Sequence, residues 1–508
     1  MLWIIDVCGR KKLLKIINTS YTKCSNMLLF LLALLSLNME EEKFGLSFEE
    51  EIQRVVGKYE EMKKNNENYF FDVIEFETII DFYIDSNNSI KAYEAATLAS
   101  EQHPNSVSIQ LRNARVMLDK GRAVEALRIL KRLENIEPGN HEIHIAKGTA
   151  MGILGDIQGA KKMFDFALTL DSDDTANILF SIASVLQNLN YYEHLIPYLE
   201  RLVDLEPGFF SHLYDLAYAY DKAEDFEKSI KYYLRYLEED PFSDSAWYNL
   251  GIIYTKLDQP EKALEAYDFS LAINSQNTFA LFNKGNILSN LERFNDAIPV
   301  YHEYLENEPD SFEAMTYLAE CYEKTNEIVL ADKYYHEAIE LAPEFADPWF
   351  GLGVVAFNSG QLDDSMIFLR KAVRLDDENP EIWYFLGKAH YAKNEKKAAL
   401  RCYREALKLD VYYDEVWCEL GKTIISEKLY RKTLPYLEKA YRIIGDVPGI
   451  NYILSSLYLR CRYPDKSFRH LSLALDMDKN LFKQMRPVFS GIVFNRKFRD
   501  LLDEYNIS

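Results

Sequence analysis

Apolar residues recur at helical spacing along most of the chain, and residues 247–267, WYNLGIIYTKLDQPEKALEAY, show the pattern clearly. Trp247, Leu250 and Tyr254 follow one another at intervals of three and four residues, which places them on one face of a helix. Gln259-Pro260 then marks a turn, because proline is accepted in the first turn of a helix. The stretch predicts two amphipathic helices joined by a short turn.

The same arrangement recurs every 34 residues. Each copy has large residues at positions 4, 7, 11 and 24, and usually Gly or Ala at position 8, when Asp244 is counted as position 1. One extra residue, Thr175, interrupts the phase. The copies start at Val73, Val107, His141, Ala176, Phe210, Asp244, Thr278, Phe312, Ala346, Pro380, Asp414 and Pro448. The pattern therefore predicts twelve copies over residues 73–481.

Each copy is predicted to be a helical hairpin, with a first helix over positions 1–14 and a second over positions 18–31. Small residues at position 8, and usually at positions 20 and 27, let the helix axes approach closely, and the large residues fill the space around them. Replacing Gly251 with Leu is expected to cost about 1–3 kcal/mol by overpacking. Proline at position 32 ends the second helix in six copies. These prolines are Pro104, Pro138, Pro207, Pro241, Pro309 and Pro343.

The chain resembles the tetratricopeptide repeat family. The resemblance lies in the 34-residue period, in the W-x2-L-G-x2-Y run at 247–254, and in the A…Y…A…P pattern of Ala331, Tyr335, Ala338 and Pro343. It implies an all-α fold, a right-handed superhelical solenoid of about twelve tetratricopeptide helical hairpins.

Several residues depart from the family pattern. Gln110, Asn113, His144 and Lys147 put polar groups at large apolar positions of two neighbouring copies. We expect either a rotated first helix there or a stack that is weakened or hinged. Leu195 and Thr433 replace the small residue at position 20.

The ends of the chain differ from the repeats. Residues 39–72 and 482–508 are predicted to be capping helices, which a solenoid needs at both ends. Residues 1–38 combine five Lys or Arg with one acid, and the 11-residue apolar run 27–37 is too short to span a bilayer as a helix. We interpret residues 1–38 as an extension outside the fold, with a membrane-targeting segment or a docked helix as the alternatives.

Composition narrows the function classes. The net charge of −22 is spread along the chain and repels phosphate backbones, so no nucleic-acid partner is expected. The six cysteines show no CxxC spacing, which favours reduced thiols and a cytoplasmic location.

No enzymatic chemistry is predicted. GLGVVA at 351–356 matches a dinucleotide-binding pattern but lies within a first helix with no strand before it. HEIH at 141–144 lacks the spacing and the third ligand of a zinc site. We therefore expect a non-catalytic protein without cofactor or metal.

The remaining candidate for a functional site is a surface formed by the first helices of the hairpins. In the family the first helices line the concave face, with positions 2, 5, 6, 9, 12 and 13 directed inward. Position 5 is aromatic in five of six consecutive copies, and asparagines stand beside it, as they do in family members that clamp a peptide backbone. The candidate peptide-binding residues are Tyr214, Tyr248, Asn249, Phe282, Asn283, Asn286, Phe350 and Tyr384. Ordinary packing of the aromatic side chains and of the asparagines is the alternative.

We therefore expect a protein–protein interaction scaffold that holds an extended peptide or a partner helix in its groove, with residues 210–413 as the binding region. The acidic surface favours a basic partner. The alternative is a membrane-tethered assembly or adaptor factor anchored through residues 1–38.

Overall fold

The computed structural model describes residues 50–170, 174–490, 492 and 496–507. Over these residues the chain is helical throughout, with short turns and no β-strand, as the periodic pattern predicts. Residues 1–38 lie outside the described part. The chain divides between Gln259 and Pro260 into two compact units, and this boundary falls in the turn inside one predicted repeat.

Within the described residues, the first unit begins with helix α1 over residues 50–65. It continues with α2 (Val73–Asp85), α3 (Ser89–Gln102), α4 (Val107–Asp119), α5 (Ala123–Ile136), α6 (His141–Ile153), α7 (Ile157–Leu170), α8 (Thr175–Asn188), α9 (Tyr192–Leu205), α10 (Ser211–Lys222), α11 (Phe226–Glu239) and α12 (Asp244–Lys256). Successive helices from α2 to α11 pack on one another, so the unit is a stack of helical hairpins, a solenoid.

The second unit has the same construction. It contains α13 (Pro260–Ile273), α14 (Thr278–Asn290), α15 (Phe294–Asn307), α16 (Phe312–Lys324), α17 (Ile328–Leu341), α18 (Ala346–Asn358), α19 (Leu362–Leu375), α20 (Pro380–Ala392), α21 (Lys396–Leu409), α22 (Asp414–Ser426), α23 (Tyr430–Ile444), α24 (Pro448–Arg460) and α25 (Pro464–Asp478). The short α26 (Leu481–Met485), a 3-10 turn (Arg486–Phe489) and α27 (Arg496–Glu504) follow.

The even-numbered helices from α2 to α24 are the first helices of the hairpins, and most end at position 13. Most second helices begin at position 17, one residue earlier than predicted. The turn between them has a residue with positive φ at position 15, because this conformation reverses the chain after a helix C-terminus. The twelve residues are Asn87, Gly121, Gly155, Asn190, Glu224, Asp258, Glu292, Asn326, Gly360, Asn394, Lys428 and Arg462.

Small residues at position 8 bring the two helices of a hairpin together, as predicted. A Cβ atom built on Gly285 would lie 2.7 Å from the Tyr301 ring, and one on Gly387 would lie 2.4 Å from the Tyr403 ring. The ring in each pair stands at position 24, and both rings are fully buried. Glycine at position 8 therefore leaves the space that the position-24 ring occupies.

The two first helices with polar residues at apolar positions, α4 and α6, are complete helices. The indole N–H groups of Trp349 and Trp383, at position 4, donate to main-chain carbonyls six residues earlier, at 3.0 and 2.9 Å. His144 occupies the same position in α6 and reproduces this bond, with Nε2 2.9 Å from the Pro138 carbonyl oxygen. Lys147 is also buried, and its ammonium group lies 2.6 Å from Glu134. Both polar side chains at this site in α6 are thus bonded.

Candidate functional site

The candidate residues lie on the first helices, and in each unit we call the surface that these helices form the first-helix face. The eight predicted residues stand on α10, α12, α14, α18 and α20, and all are half-buried. Each unit of the chain carries part of the set.

In the first unit, Tyr214 and Asn249 belong to one polar and aromatic cluster. The Asn249 amide donates to the hydroxyl oxygens of Tyr214, at 2.9 Å, and Tyr233, at 3.0 Å. The Tyr214 ring packs edge-on against Tyr233 and Tyr236, with centroids 5.4 Å apart in both pairs. Burial raises the pKa of Tyr214, so its hydroxyl stays neutral. Both N–H groups of Asn249 are therefore engaged within the protein.

In the second unit, Phe282 and Asn286 also have neighbours of their own. The Phe282 ring lies 5.3 Å from that of Tyr304 and 5.9 Å from that of Tyr317. The Tyr301 hydroxyl donates to Asn286 Oδ1 at 2.7 Å. Phe282 therefore contacts the next hairpin through Tyr317, whereas Asn286 is bonded within its own hairpin, and part of each side chain remains exposed.

A common rule connects these contacts: position 5 of one hairpin packs against position 6 of the next. Tyr214 meets Asn249 in this way, and Phe282 meets Tyr317. Phe350 meets Phe385 with ring centroids 5.6 Å apart. The spacing of 35 residues along the chain follows from the 34-residue repeat plus one position.

Tyr384 lies at the end of this series. Its ring is 5.3 Å from that of Tyr413 and 5.4 Å from that of Phe385. The ammonium group of Lys388 lies 5.2 Å from the Tyr384 centroid and 4.6 Å from that of Phe385, which is cation–π distance. Burial raises the pKa of Tyr384 to about 12. This aromatic cluster already holds a cation of the protein itself.

A cavity of about 290 Å³ opens on the first-helix face between α16, α18 and α20. Its apolar wall includes Tyr317, Phe350 and Phe385. Of the eight predicted residues, only Phe350 lines it. Its polar wall is acidic, with one cation, Lys324. The acids are Glu313, Glu320, Glu323, Asp347 and Glu381.

Burial affects three of these acids. It is the main cause of the raised pKa of Glu323, whose carboxylate also accepts a hydrogen bond from the buried Tyr335 hydroxyl at 3.4 Å. Burial likewise raises the pKa of Asp347, with Asp376 adding to the effect, and that of Glu381. Removal from water disfavours the ionised carboxylates, so a cation placed among them is stabilising.

Sequence reasoning missed these acids although a signal was present. Position 2 is acidic in four consecutive copies, at Glu313, Asp347, Glu381 and Glu415. A carboxylate on a helix suggests a solvated surface until the neighbouring hairpins are stacked. Only then does the repeat bring the same position of successive first helices to one cavity.

Over the described residues, no three His, Cys, Asp or Glu side chains are arranged to bind a metal ion. In the same part of the chain, no helix is both long and apolar enough to cross a lipid bilayer.

Comparison with known families agrees with the geometry. Family models described as tetratricopeptide repeat match six segments. The segments are 176–209, 196–244, 245–277, 282–331, 330–380 and 380–410. The chain is a tetratricopeptide repeat protein. Such repeats are typical of protein–protein interaction.

Several solved structures are similar over part of the chain. MamA (41-end) from Desulfovibrio magneticus RS-1 is 23% identical, with 34% of this chain and 97% of that chain covered, at a TM-score of 0.31. YrrB, a TPR protein with an unusual peptide-binding site, is 20% identical, with 36% of this chain and 93% of that chain covered, at a TM-score of 0.31.

A chain of the APC/C hetero-tetramer Cut9–Hcn1 is 13% identical, with 82% of this chain and 90% of that chain covered, at a TM-score of 0.37. No curated protein matches the chain. The identification as a tetratricopeptide repeat protein therefore rests on the family models.

Proposed function

We propose that the chain is a non-catalytic interaction scaffold that holds an extended, basic segment of a partner protein on its first-helix face. The cavity between α16, α18 and α20 carries this proposal, because it combines aromatic walls with five carboxylates. Of the predicted binding region, 210–413, this is the part with the strongest support.

The chemistry of the cavity suits a Lys or Arg side chain. Its aliphatic stem packs on Phe350 and Phe385, and its charged end reaches Glu320, Asp347 or Glu381. Since burial raises the pKa of Asp347 and Glu381, an incoming cation stabilises their ionised forms and lowers those pKa values again. Binding is accordingly expected to weaken as salt concentration rises.

The asparagines have a narrower role than a clamp that donates and accepts at once. Asn249 uses its N–H groups on tyrosine hydroxyls and keeps its carbonyl oxygen for a partner N–H. Asn286 accepts from Tyr301 and keeps its N–H groups for a partner carbonyl. Asn249 and Asn286 thus each offer one kind of group to a peptide backbone.

Affinity capture with quantitative mass spectrometry tests the proposal. The bait starts at Met39, and two variants are compared with it. Glu320→Gln/Asp347→Asn/Glu381→Gln neutralises the cavity. Tyr248→Ala/Asn249→Ala/Phe282→Ala/Asn283→Ala removes the aromatic and amide groups of two successive first helices. Circular dichroism first establishes that both variants remain helical.

A matched control neutralises three exposed carboxylates on second helices, Glu303→Gln/Glu340→Gln/Asp364→Asn. We expect partners to be depleted from the cavity variant at least tenfold and kept by the control. Equal recovery with the cavity variant and the parent contradicts the proposal. Loss with the control as well assigns binding to net charge alone and contradicts it too.

We propose residues 73–481 as twelve repeats between caps at 39–72 and 482–508. The four cysteines that the structure describes are free thiols, which supports the proposed cytoplasmic location.

The basic flank and apolar run of residues 1–38 favour one alternative, a membrane-tethered adaptor. Cell fractionation of the chain with and without residues 1–38 distinguishes the two. Membrane recovery that disappears on truncation supports tethering, and recovery in the soluble fraction from both chains rejects it.

A further inference from the structure

The hairpin formed by α22 and α23 is open, unlike the others of the second unit from α14 onward. In α14 and α20 the position-8 glycines face the position-24 rings of their own hairpins. The equivalent glycine of α22, Gly421, faces elsewhere: a Cβ atom built on it would lie 2.9 Å from Val488 and 3.2 Å from Ile453. The first helix of this hairpin therefore packs against α24 and the 3-10 turn, and only loosely against α23.

A further contact links α22 to the C-terminal region. The Cys418 thiol lies 3.1 Å from the carbonyl oxygen of Gln484 in α26. On α23, position 20 is Thr433 in place of the usual small residue, and its hydroxyl is bonded to its own helix at Leu429. The opening of this hairpin is thus part of the packing of the C-terminal region.

The opening leaves a groove of about 510 Å³ between the second helices α21 and α23, which we call the α21–α23 groove. Trp417, Leu420 and Ile424 of α22 form its floor. Its α23 wall includes Tyr436, which is 77% exposed, and Ile444, which is 37% exposed. Exposed apolar side chains therefore border a recess whose floor is also apolar.

The charge of this groove is opposite to that of the chain. All its charged lining residues are basic, namely Arg401, Arg404 and Lys408 of α21, in a chain of net charge −22. Glu405 is paired with both Arg404, at 3.1 Å, and Lys408, at 2.5 Å. Arg401 is exposed and has no ion pair among the described residues. One wall of the groove therefore presents uncompensated positive charge beside an apolar floor.

We propose that the α21–α23 groove binds an amphipathic helix of a partner protein, with apolar residues on one face and Asp or Glu along one flank. The walls have helical spacing, with Leu400 and Leu407 on α21 and Leu437, Ala440 and Ile444 on α23. Such rows accept the side-chain ridge of a third helix. The acidic flank of the ligand lies against Arg401 and Arg404. This site is separate from the proposed peptide site on the first-helix face.

Selection from a displayed library of amphipathic helices tests the proposal without a known partner. The library varies the charged flank freely and keeps Leu at positions i, i+3, i+4 and i+7. It is selected on the full chain and depleted on Ala440→Glu, which puts a charge into the apolar wall. Enriched helices are then measured by fluorescence anisotropy on the parent and on Arg401→Glu/Arg404→Glu. Arg370→Glu, at the same repeat position as Arg404 in the preceding hairpin, is the control.

We expect enriched helices to carry Asp or Glu on one flank and to bind Arg401→Glu/Arg404→Glu at least tenfold more weakly, with Arg370→Glu unchanged. Enrichment of neutral or basic helices, or none, overturns the proposal. Loss of affinity with Ala440→Glu alone, without any charge preference, also overturns it. A dimer in sedimentation that Ala440→Glu abolishes identifies a second copy as the occupant instead. If removal of residues 1–38 increases the affinity for the helices, that segment is the occupant of the groove instead.

Discussion

The close approach of Gly387 to Tyr403 allows a quantitative test of the repeat packing. In Gly387→Ala the new Cβ atom lies 2.4 Å from Cε1 and 2.7 Å from Cδ1 of the Tyr403 ring. Carbon atoms in contact prefer a separation of about 3.5 Å, so the ring has to move by about 1 Å. Tyr403 is fully buried, and the surrounding side chains resist this shift.

The magnitude follows from two opposing effects. Overpacking of this kind costs about 1–3 kcal/mol, whereas replacing glycine by alanine inside a helix contributes about 1 kcal/mol of stability. Because the ring is rigid and buried, we take the upper end of the first range. Gly387→Ala is therefore expected to destabilise its hairpin by about 2 kcal/mol.

Hydrogen exchange measured by mass spectrometry is the appropriate assay, because repeat proteins open locally. Peptides from α20 and α21 are expected to exchange about 30-fold faster in Gly387→Ala. Adding Tyr403→Leu relieves the clash. The double variant is therefore expected to lose less stability than the two single variants lose together.

Gly57→Ala in α1 is the matched control. A Cβ atom there has no neighbour within 4 Å, so stability is expected to rise by about 1 kcal/mol. Unchanged or slower exchange of α20 and α21 in Gly387→Ala refutes the packing argument.

Three further predictions concern strain, charge and thiols. Glu292 has positive φ, a conformation that glycine adopts without strain. Glu292→Gly is therefore expected to stabilise the chain by about 0.5–1 kcal/mol and to raise the midpoint of thermal unfolding. A lower midpoint contradicts this prediction. Burial and Asp478 raise the pKa of Asp414 to about 6, so the free energy of unfolding falls as pH rises through about 4 to 6. Asp414→Asn is therefore expected to melt at a higher temperature than the parent chain at pH 7.5 but not at pH 3.5. An equal difference at both pH values rejects the assignment. Burial raises the pKa of the Cys321 and Cys402 thiols to about 11. Both thiols are therefore expected to resist alkylation by iodoacetamide at pH 8 until urea unfolds the chain. Fast labelling of the folded chain would contradict this.

The fold was predictable because the information is local and repeated. Trp247, Leu250 and Gly251 define a helix face within two turns, and the period then fixes the helices from α2 to α25 to within a few residues. The position of the turn residue was not predicted. Glu292 and Lys428 are unusual at positive φ, so composition alone gives no sign of it.

The candidate site was predictable only in part. The first helices carry the predicted aromatic residues, but the partner of each side chain depends on the offset between hairpins. That offset brings Asn249 to Tyr214 and joins Asp347 and Glu381 in one cavity. The α21–α23 groove was not predicted either, because it depends on Gly421 facing the C-terminal turn, a contact between residues far apart in sequence.

Carbodiimide cross-linking of the chain to a captured partner tests the central claim most directly, because this reagent joins lysines to carboxylates in direct contact. We predict cross-links from partner lysines to Glu320, Asp347 or Glu381 on the first-helix face. Cross-links confined to exposed second-helix carboxylates such as Glu303 and Glu340 would contradict the account.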